Sequence, residues 1–252
     1  MVESEDRGVV TVVRLARGKA NALDTTLVAA LIDALDRLDR SAARAGVLTG
    51  QGTVFSAGVD LTALVAGGPE YVRGFLPQLQ RLFERLATFP KPLVAAANGH
   101  AVAGGMILLL ACDVRLLARG TARVGLPGVR VGLVYPSWAV ELVRFATPPQ
   151  LWSTLLYSGR TWQPDEALAR GLVDELVEPG RLLDRACEVA GELAAIPAGR
   201  FAATKRALRG AMIEAARRLA SATDAAVMED WCAPDTLREV AAYAERTMKP
   251  RQ

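Results

Sequence analysis

The sequence predicts an α/β body followed by a helical tail. Three observations carry that expectation. Short apolar runs rich in valine and alanine, at residues 8–15, 45–49 and 90–97, are strand-like and are bounded by glycine, proline or polar residues. Between the first two runs, Leu27, Leu31, Leu35 and Leu38 recur at helical spacing. From Arg181 to Thr247 the pattern is helical almost throughout, broken at Pro197-Ala198-Gly199 and at Ala233-Pro234. The body and the tail divide as residues 1–177 and 178–252.

In chain order, residues 8–15 form a valine-rich strand and Arg17-Gly18-Lys19-Ala20-Asn21 a loop. Asp24-Thr25-Thr26 supplies helix caps ahead of the leucine stripe, and residues 45–49 return as a strand. Residues 61–77 contain Gly67-Gly68-Pro69 and Gly74 and read as a loop or broken helix. Leu79, Leu82, Phe83 and Leu86 then form a helix stripe that stops before Pro90. Residues 113–118 form another strand, 122–128 a loop and 129–134 a short apolar run. Tyr135-Pro136-Ser137-Trp138 opens a helix through Phe145, because proline is tolerated in a first turn. Further helices start at Pro148-Pro149-Gln150 and at Pro164-Asp165-Glu166, the second stopped by Gly171.

With 51% hydrophobic and 23% charged residues, the chain can bury a substantial core and is not a disordered segment. Its net charge of +3 is spread along the sequence and makes no case for a nucleic-acid partner. Three distant cysteines and a single histidine argue against a zinc site or a disulfide framework, so no metal is expected. The N-terminus is acidic and lacks an apolar signal segment. The longest apolar run, residues 106–111, is far short of the ~20 residues a membrane span needs. A soluble cytoplasmic protein with no membrane partner is the expectation.

The central stretch is Asn98-Gly99-His100-Ala101-Val102-Ala103-Gly104-Gly105-Met106, which continues apolar to Ala111-Cys112-Asp113. A helix starting at Gly104 or Gly105 leaves its first N–H groups without intrahelical partners, in a field that favours negative charge. A second glycine turn, Phe55-Ser56-Ala57-Gly58-Val59-Asp60-Leu61, follows the strand at residues 45–49. Two such turns after two core strands can present two backbone donors to one oxygen.

Together these motifs resemble the crotonase, or enoyl-CoA hydratase/isomerase, superfamily. The resemblance runs from about Val9 to Val177. It rests on Asn21-Ala22-Leu23, Val47-Leu48-Thr49-Gly50, Phe55 to Asp60, Asn98-Gly99-His100 with Gly104-Gly105, Ala111-Cys112-Asp113, Gly159-Arg160, and Glu166-Ala167 through Gly171-Leu172-Val173. It implies a spiral of ββα units with a helical C-terminal region that packs in trimers or dimers of trimers. It also implies an acyl-CoA substrate with no separate cofactor, the coenzyme A being part of the substrate. Its oxyanion-hole amides fall on Val59 and Gly104. Lys19 falls near the CoA phosphates, and Ala57, Asp60, Leu61 and Trp138 fall among the substrate-binding positions. Asp60 and Asp113 also read as structural acids, capping or pairing near the turns.

Hydration of a 2-enoyl thioester needs an acid/base pair beside the alkene, and isomerising a 3-enoyl thioester needs one base to move a proton from C2 to C4. The two glutamates of the resembled hydratases carry over to Ile107 and Gly128, neither of which can transfer a proton. The Δ3,Δ2-enoyl-CoA isomerases also have an apolar residue at the Ile107 position but keep a glutamate at that of Gly128. The likeness to them extends through Ala103-Gly104-Gly105, Gly125-Leu126 and Trp138. The candidate replacement base is Glu141, three residues after Trp138 and on the same helix face, against the alternative of an ordinary solvent-facing glutamate. Tyr135 is a candidate proton donor or a packing residue. Glu70 and Tyr71 lie on the segment after the Gly58 turn, and His100 reads as a packed histidine. Lys205 and Arg206 either reach a neighbouring subunit's phosphate or form a solvated helix face. Trp138, Phe75 and Leu79 are candidates for the acyl pocket, or plain core.

The expected function is therefore an acyl-CoA enzyme, with 3-enoyl to 2-enoyl isomerisation by a displaced base as its reaction. The alternative is a catalytically silent acyl-CoA binder that holds or hands over the thioester. A scaffold using the fold only for assembly would have no need of the Gly58 and Gly104-Gly105 turns.

Overall fold

The computed structural model describes residues 1–248. Strands and helices are numbered in chain order. A six-stranded sheet holds, in spatial order, β1 (Val2–Arg7), β2 (Val10–Leu15), β3 (Ala45–Gly50), β5 (Leu93–Ala97), β7 (Val114–Ala118) and β10 (Glu175–Val177). Only β1 runs antiparallel to its neighbour; the others pair in parallel. β1 covers the edge with Glu3, Glu5, Asp6 and Arg7, an exposed charged strand of the kind that blocks further pairing. A smaller four-stranded sheet holds β4 (Val54–Ser56), β6 (His100–Val102), β8 (Val124–Gly125) and β9 (Thr161–Trp162).

The period-two alternation of the strands separates two cores. Val10, Val12, Val47, Val94, Ala96 and Leu116 face α8 (Leu182–Ala195), which covers that side of the sheet with Leu182, Ala186, Val189 and Ala190. Val13, Leu15, Leu48, Ala95 and Leu117 face the larger core. There α1 (Thr25–Arg40) buries the leucine stripe read from the sequence, and Asp24 caps it by accepting from Leu27 N–H at 2.8 Å. The helix α3 (Gly104–Ala111) is buried from Gly105 to Ala111, as its uniformly apolar sequence requires.

Residues 61–77, read as a loop or broken helix, join the stripe from Leu79 to Leu86 in α2 (Leu61–Ala87), two helical rods joined at Gly68, whose φ of 58° and ψ of −153° interrupt the spiral. Pro69 follows directly, where the first turn of a new rod has no use for its missing N–H. Residues 129–134, read only as an apolar run, open with the single turn α4 (Gly128–Val131). The remaining helices are α5 (Ser137–Ala146), α6 (Trp152–Leu156), α7 (Pro164–Ala169), α9 (Ala198–Cys232) and α10 (Pro234–Met248). α9 and α10 start beside the prolines that mark the breaks in the sequence, and both pack on α2.

Candidate active site

The two glycine turns meet. A Cβ placed on Gly58, where φ is +81°, would lie 2.7 Å from the Gly104 amide nitrogen and 2.7 Å from the Ala103 Cβ. A Cβ on Gly104 would lie 3.7 Å from the Val59 amide nitrogen. Only glycines allow this approach of two backbones, and only glycine holds the Gly58 conformation without strain.

The hydrogen bonds around the turns leave two donors free. Leu23 forms a parallel bridge with Val59: its N–H donates to Gly58 O at 2.7 Å, and its carbonyl accepts from Asp60 N–H at 2.9 Å. A parallel bridge bonds to the residues flanking the partner, so the Val59 N–H points the other way. Gly104 is the first residue of α3, whose opening amides have no intrahelical acceptor. Ala103 precedes it at φ 50° and ψ −122°, provides no side-chain cap, and is held by its own N–H to Gly125 O at 2.9 Å. Among the described residues neither the Val59 nor the Gly104 N–H donates to a protein acceptor. Both residues line one cavity of about 140 Å³, walled further by Leu79, Phe83, Ile107, Leu133 and Trp231. No acid or base of Asp, Glu, His, Lys or Arg type is among the described residues that line it.

The two positions where the resembled enzymes carry glutamates both face this cavity. Ile107 is buried in its wall. At Gly128 the room for a side chain is filled: a Cβ there would lie 2.8 Å from Tyr135 Cε1 and 3.3 Å from its hydroxyl. The Tyr135 ring is fixed by its hydroxyl, which donates to Leu126 O at 2.5 Å and accepts from Val129 N–H at 3.3 Å. Burial pushes the Tyr135 phenol above its usual range, so it stays protonated at neutral pH.

Glu141 is not brought to the cavity. Ala139 is the α5 residue in the wall, and Glu141 follows it by two residues, about 200° around the helix. Its carboxylate is buried against Arg144 Nη1 at 3.0 Å. Trp138, on the Glu141 side of α5, lies in a separate cleft with Pro77, Gln80 and Asp224. Of the acyl-pocket candidates, Leu79 lines the cavity, whereas Phe75 is core and stacks on Tyr71 at 5.5 Å. Ala57 and Leu61 also line it. Asp60 caps α2 by accepting from Ala63 N–H at 2.9 Å. Lys19 is exposed, one residue ahead of Ala20, whose carbonyl accepts from Ala57 N–H at 2.9 Å. That places Lys19 on the surface beside the Gly58 turn.

Glu70 is exposed on α2, and the Tyr71 hydroxyl accepts from Thr25 N–H at 3.3 Å. Burial raises the Tyr71 phenol too. The His100 Nδ1 accepts from Arg123 N–H at 3.0 Å, a structural contact. Lys205 is not on a solvated face: it is buried, 2.7 Å from Asp113 Oδ2, while Arg206 is exposed. Phe83, Trp231 and Tyr243 were not foreseen in the wall. The last two come from α9 and α10, far along the chain, and no local pattern links them to the glycine turns.

The enoyl-CoA hydratase/isomerase family model matches residues 5–250. A Thermus thermophilus protein provisionally assigned as an enoyl-CoA hydratase is 40% identical over 91% of this chain and 92% of its own length. Human mitochondrial enoyl-CoA delta isomerase 1 is 30% identical, over 90% of this chain and 75% of its own. The crystal structure of human mitochondrial delta3-delta2-enoyl-CoA isomerase superposes with a TM-score of 0.91, at 29% identity, covering 98% of both chains. Sequence, fold and the meeting of the two glycine turns agree: this chain belongs to the enoyl-CoA hydratase/isomerase family.

Proposed function

We propose that this protein binds an acyl-CoA thioester, with the carbonyl oxygen between the Val59 and Gly104 N–H groups and the acyl chain in the apolar cavity. The observation that carries the reading is the pair of unbonded amides side by side in the cavity wall. Donors fixed in advance cost no reorganisation when charge develops on the oxygen, so they favour an enolate over the ground-state carbonyl. The reaction we propose is 3-enoyl to 2-enoyl isomerisation, in keeping with the delta3-delta2-enoyl-CoA isomerase whose human crystal structure superposes on this fold. The Tyr135 phenol holds its proton too tightly to accept another group's, and Glu141 faces away from the cavity. Lys19, exposed beside the Gly58 turn, suits the phosphate end of the ligand.

A second reading, a silent acyl-CoA binder, is favoured by the missing acid/base side chain in the described cavity wall. One paired experiment separates the two. Purified protein is incubated with a 3-enoyl-CoA and, separately, with a 2-enoyl-CoA; the products are resolved by chromatography and acyl-CoA binding is measured by calorimetry. Conversion of the 3-enoyl thioester supports the isomerase, and its survival in Glu141→Gln removes Glu141 from the scheme. Binding without conversion of either thioester supports the silent binder. No binding overturns both readings.

A further inference from the structure

We infer that the acyl group this protein accepts is short and uncharged, about six carbons or fewer. The inference rests on the thioester reading and adds the class of acyl chain. Its first support is volume. The cavity measures about 140 Å³. An engineered apolar cavity of ~150 Å³ in another protein is filled by one benzene molecule, which has six carbons.

The second support is that much of the wall cannot easily recede. Leu79, Phe83, Ile107 and Ala139 line the cavity, and each is at most 2% exposed, packed into the main core from α2, α3 and α5. Two further walls are tied by hydrogen bonds. Trp231 donates from its indole N–H to Val134 O at 2.9 Å, and Tyr135 is held at Leu126 O and Val129 N–H. The Tyr135 ring also takes the space that Gly128 would otherwise leave open. A longer chain must push these groups out of a close-packed interior or leave its extra methylenes in water.

The third support is chemical. Besides apolar side chains the described wall offers only the Tyr135 and Tyr243 phenols and the Trp231 indole, with no cation to meet a terminal carboxylate. A charged acyl tail would lose its hydration without a partner. Saturated, unsaturated or aryl acyl groups of the right length all fit this description.

The test is a calorimetric series on the full-length protein: free CoA, then butyryl-, hexanoyl-, octanoyl-, dodecanoyl-, palmitoyl- and glutaryl-CoA. Affinity should rise about fourfold per added methylene as far as hexanoyl-CoA. It should then level or fall, and glutaryl-CoA should bind no better than free CoA. Tighter binding of dodecanoyl- or palmitoyl-CoA than of hexanoyl-CoA overturns the length, and glutaryl-CoA matching hexanoyl-CoA overturns the charge rule. In both cases the thioester reading stands. If no thioester exceeds free CoA, that reading falls and takes this inference with it. Phe83→Ala should move the optimum to octanoyl-CoA or beyond. Should that variant not fold, Ala139→Leu should weaken hexanoyl-CoA while sparing butyryl-CoA. An unmoved optimum in a folded variant overturns the assignment of that wall.

Discussion

The two ends of α3 are built on opposite principles. At its N-terminus Gly104 offers an N–H that no described group accepts, Ala103 sits in a strained conformation, and no side chain caps the turn. At its C-terminus almost everything is paired. The Ala111 carbonyl accepts from Arg209 Nη1 at 2.9 Å. Asp113 accepts from Arg209 Nη2 at 2.8 Å, from Lys205 Nζ at 2.7 Å and from Leu93 N–H at 2.9 Å. Lys205 also reaches Lys91 O, and Arg209 reaches Ala87 O. A helix end buried without partners is costly, so the satisfied end shows what this chain does when only stability is at stake. The unsatisfied end is kept open at a site where a ligand can supply the missing acceptor.

The largest expected effect comes from breaking the satisfied end. Asp113→Ala leaves Lys205 and Arg209, whose side chains are 6% and 4% exposed, with carbonyl and aromatic-ring partners but no counter-charge. We expect a loss of roughly 3–5 kcal/mol of stability, read from the urea midpoint. A loss near zero would mean that the cluster is as dispensable as a surface pair. Next is Gly104→Pro, which deletes the free N–H while keeping a residue that suits the first position of a helix. Turnover should fall about 10²–10³-fold, or acyl-CoA binding should weaken if the protein is a silent binder; the urea midpoint should fall as well, because a Cβ at position 104 meets Leu23 Cδ1 at 2.9 Å. Unchanged function in the folded variant would erase the contrast between the ends.

The smallest expected effect is a pH dependence. Burial lowers the Lys205 ammonium from its ordinary 10.5 to about 8, against the opposing pull of Asp113. Between those two values the unfolded chain binds the proton that the folded chain has released, so this group's contribution to stability rises with pH. The burial penalty is fully present below about 8. Wild type should therefore gain stability relative to Lys205→Met as the pH climbs from about 8 towards 9, measured by urea titration at each pH. Taking the difference against Lys205→Met removes the Cys112 thiol, which burial holds up at about 12 and which acts in the opposite sense.

The sequence was most legible where the chain is periodic or punctuated. The Leu27 to Leu38 stripe, the apolar run of α3 and the proline breaks around α9 are local signals, and each appears as an element. The strands of the smaller sheet are two or three residues long, too short to leave a pattern. The helix α5 was readable as a helix, but which of its faces meets the cavity is decided by α2 and α9 packing against it, so Ala139 and not Trp138 or Glu141 lies in the wall. Lys205 shows the same limit: a lysine on a helix reads as solvated until Asp113 arrives from 92 positions away. Each glycine turn was legible because its backbone chemistry is local, but their pairing was legible only through the family resemblance. Phe83, Trp231 and Tyr243 could not, because only the tertiary fold brings them there.

The Tyr135 ring also fixes the order in which a glutamate can enter at position 128. A glutamate introduced at position 128 would meet a ring carbon 2.8 Å from its Cβ, in a ring anchored at two backbone groups. Gly128→Glu alone should therefore cost folding before it adds any proton-transfer chemistry. The viable route runs through Tyr135→Ala first, a step that gains nothing by itself. Selection for a carboxylate base among single substitutions should pass over position 128 entirely, and only the pair Tyr135→Ala with Gly128→Glu should open it.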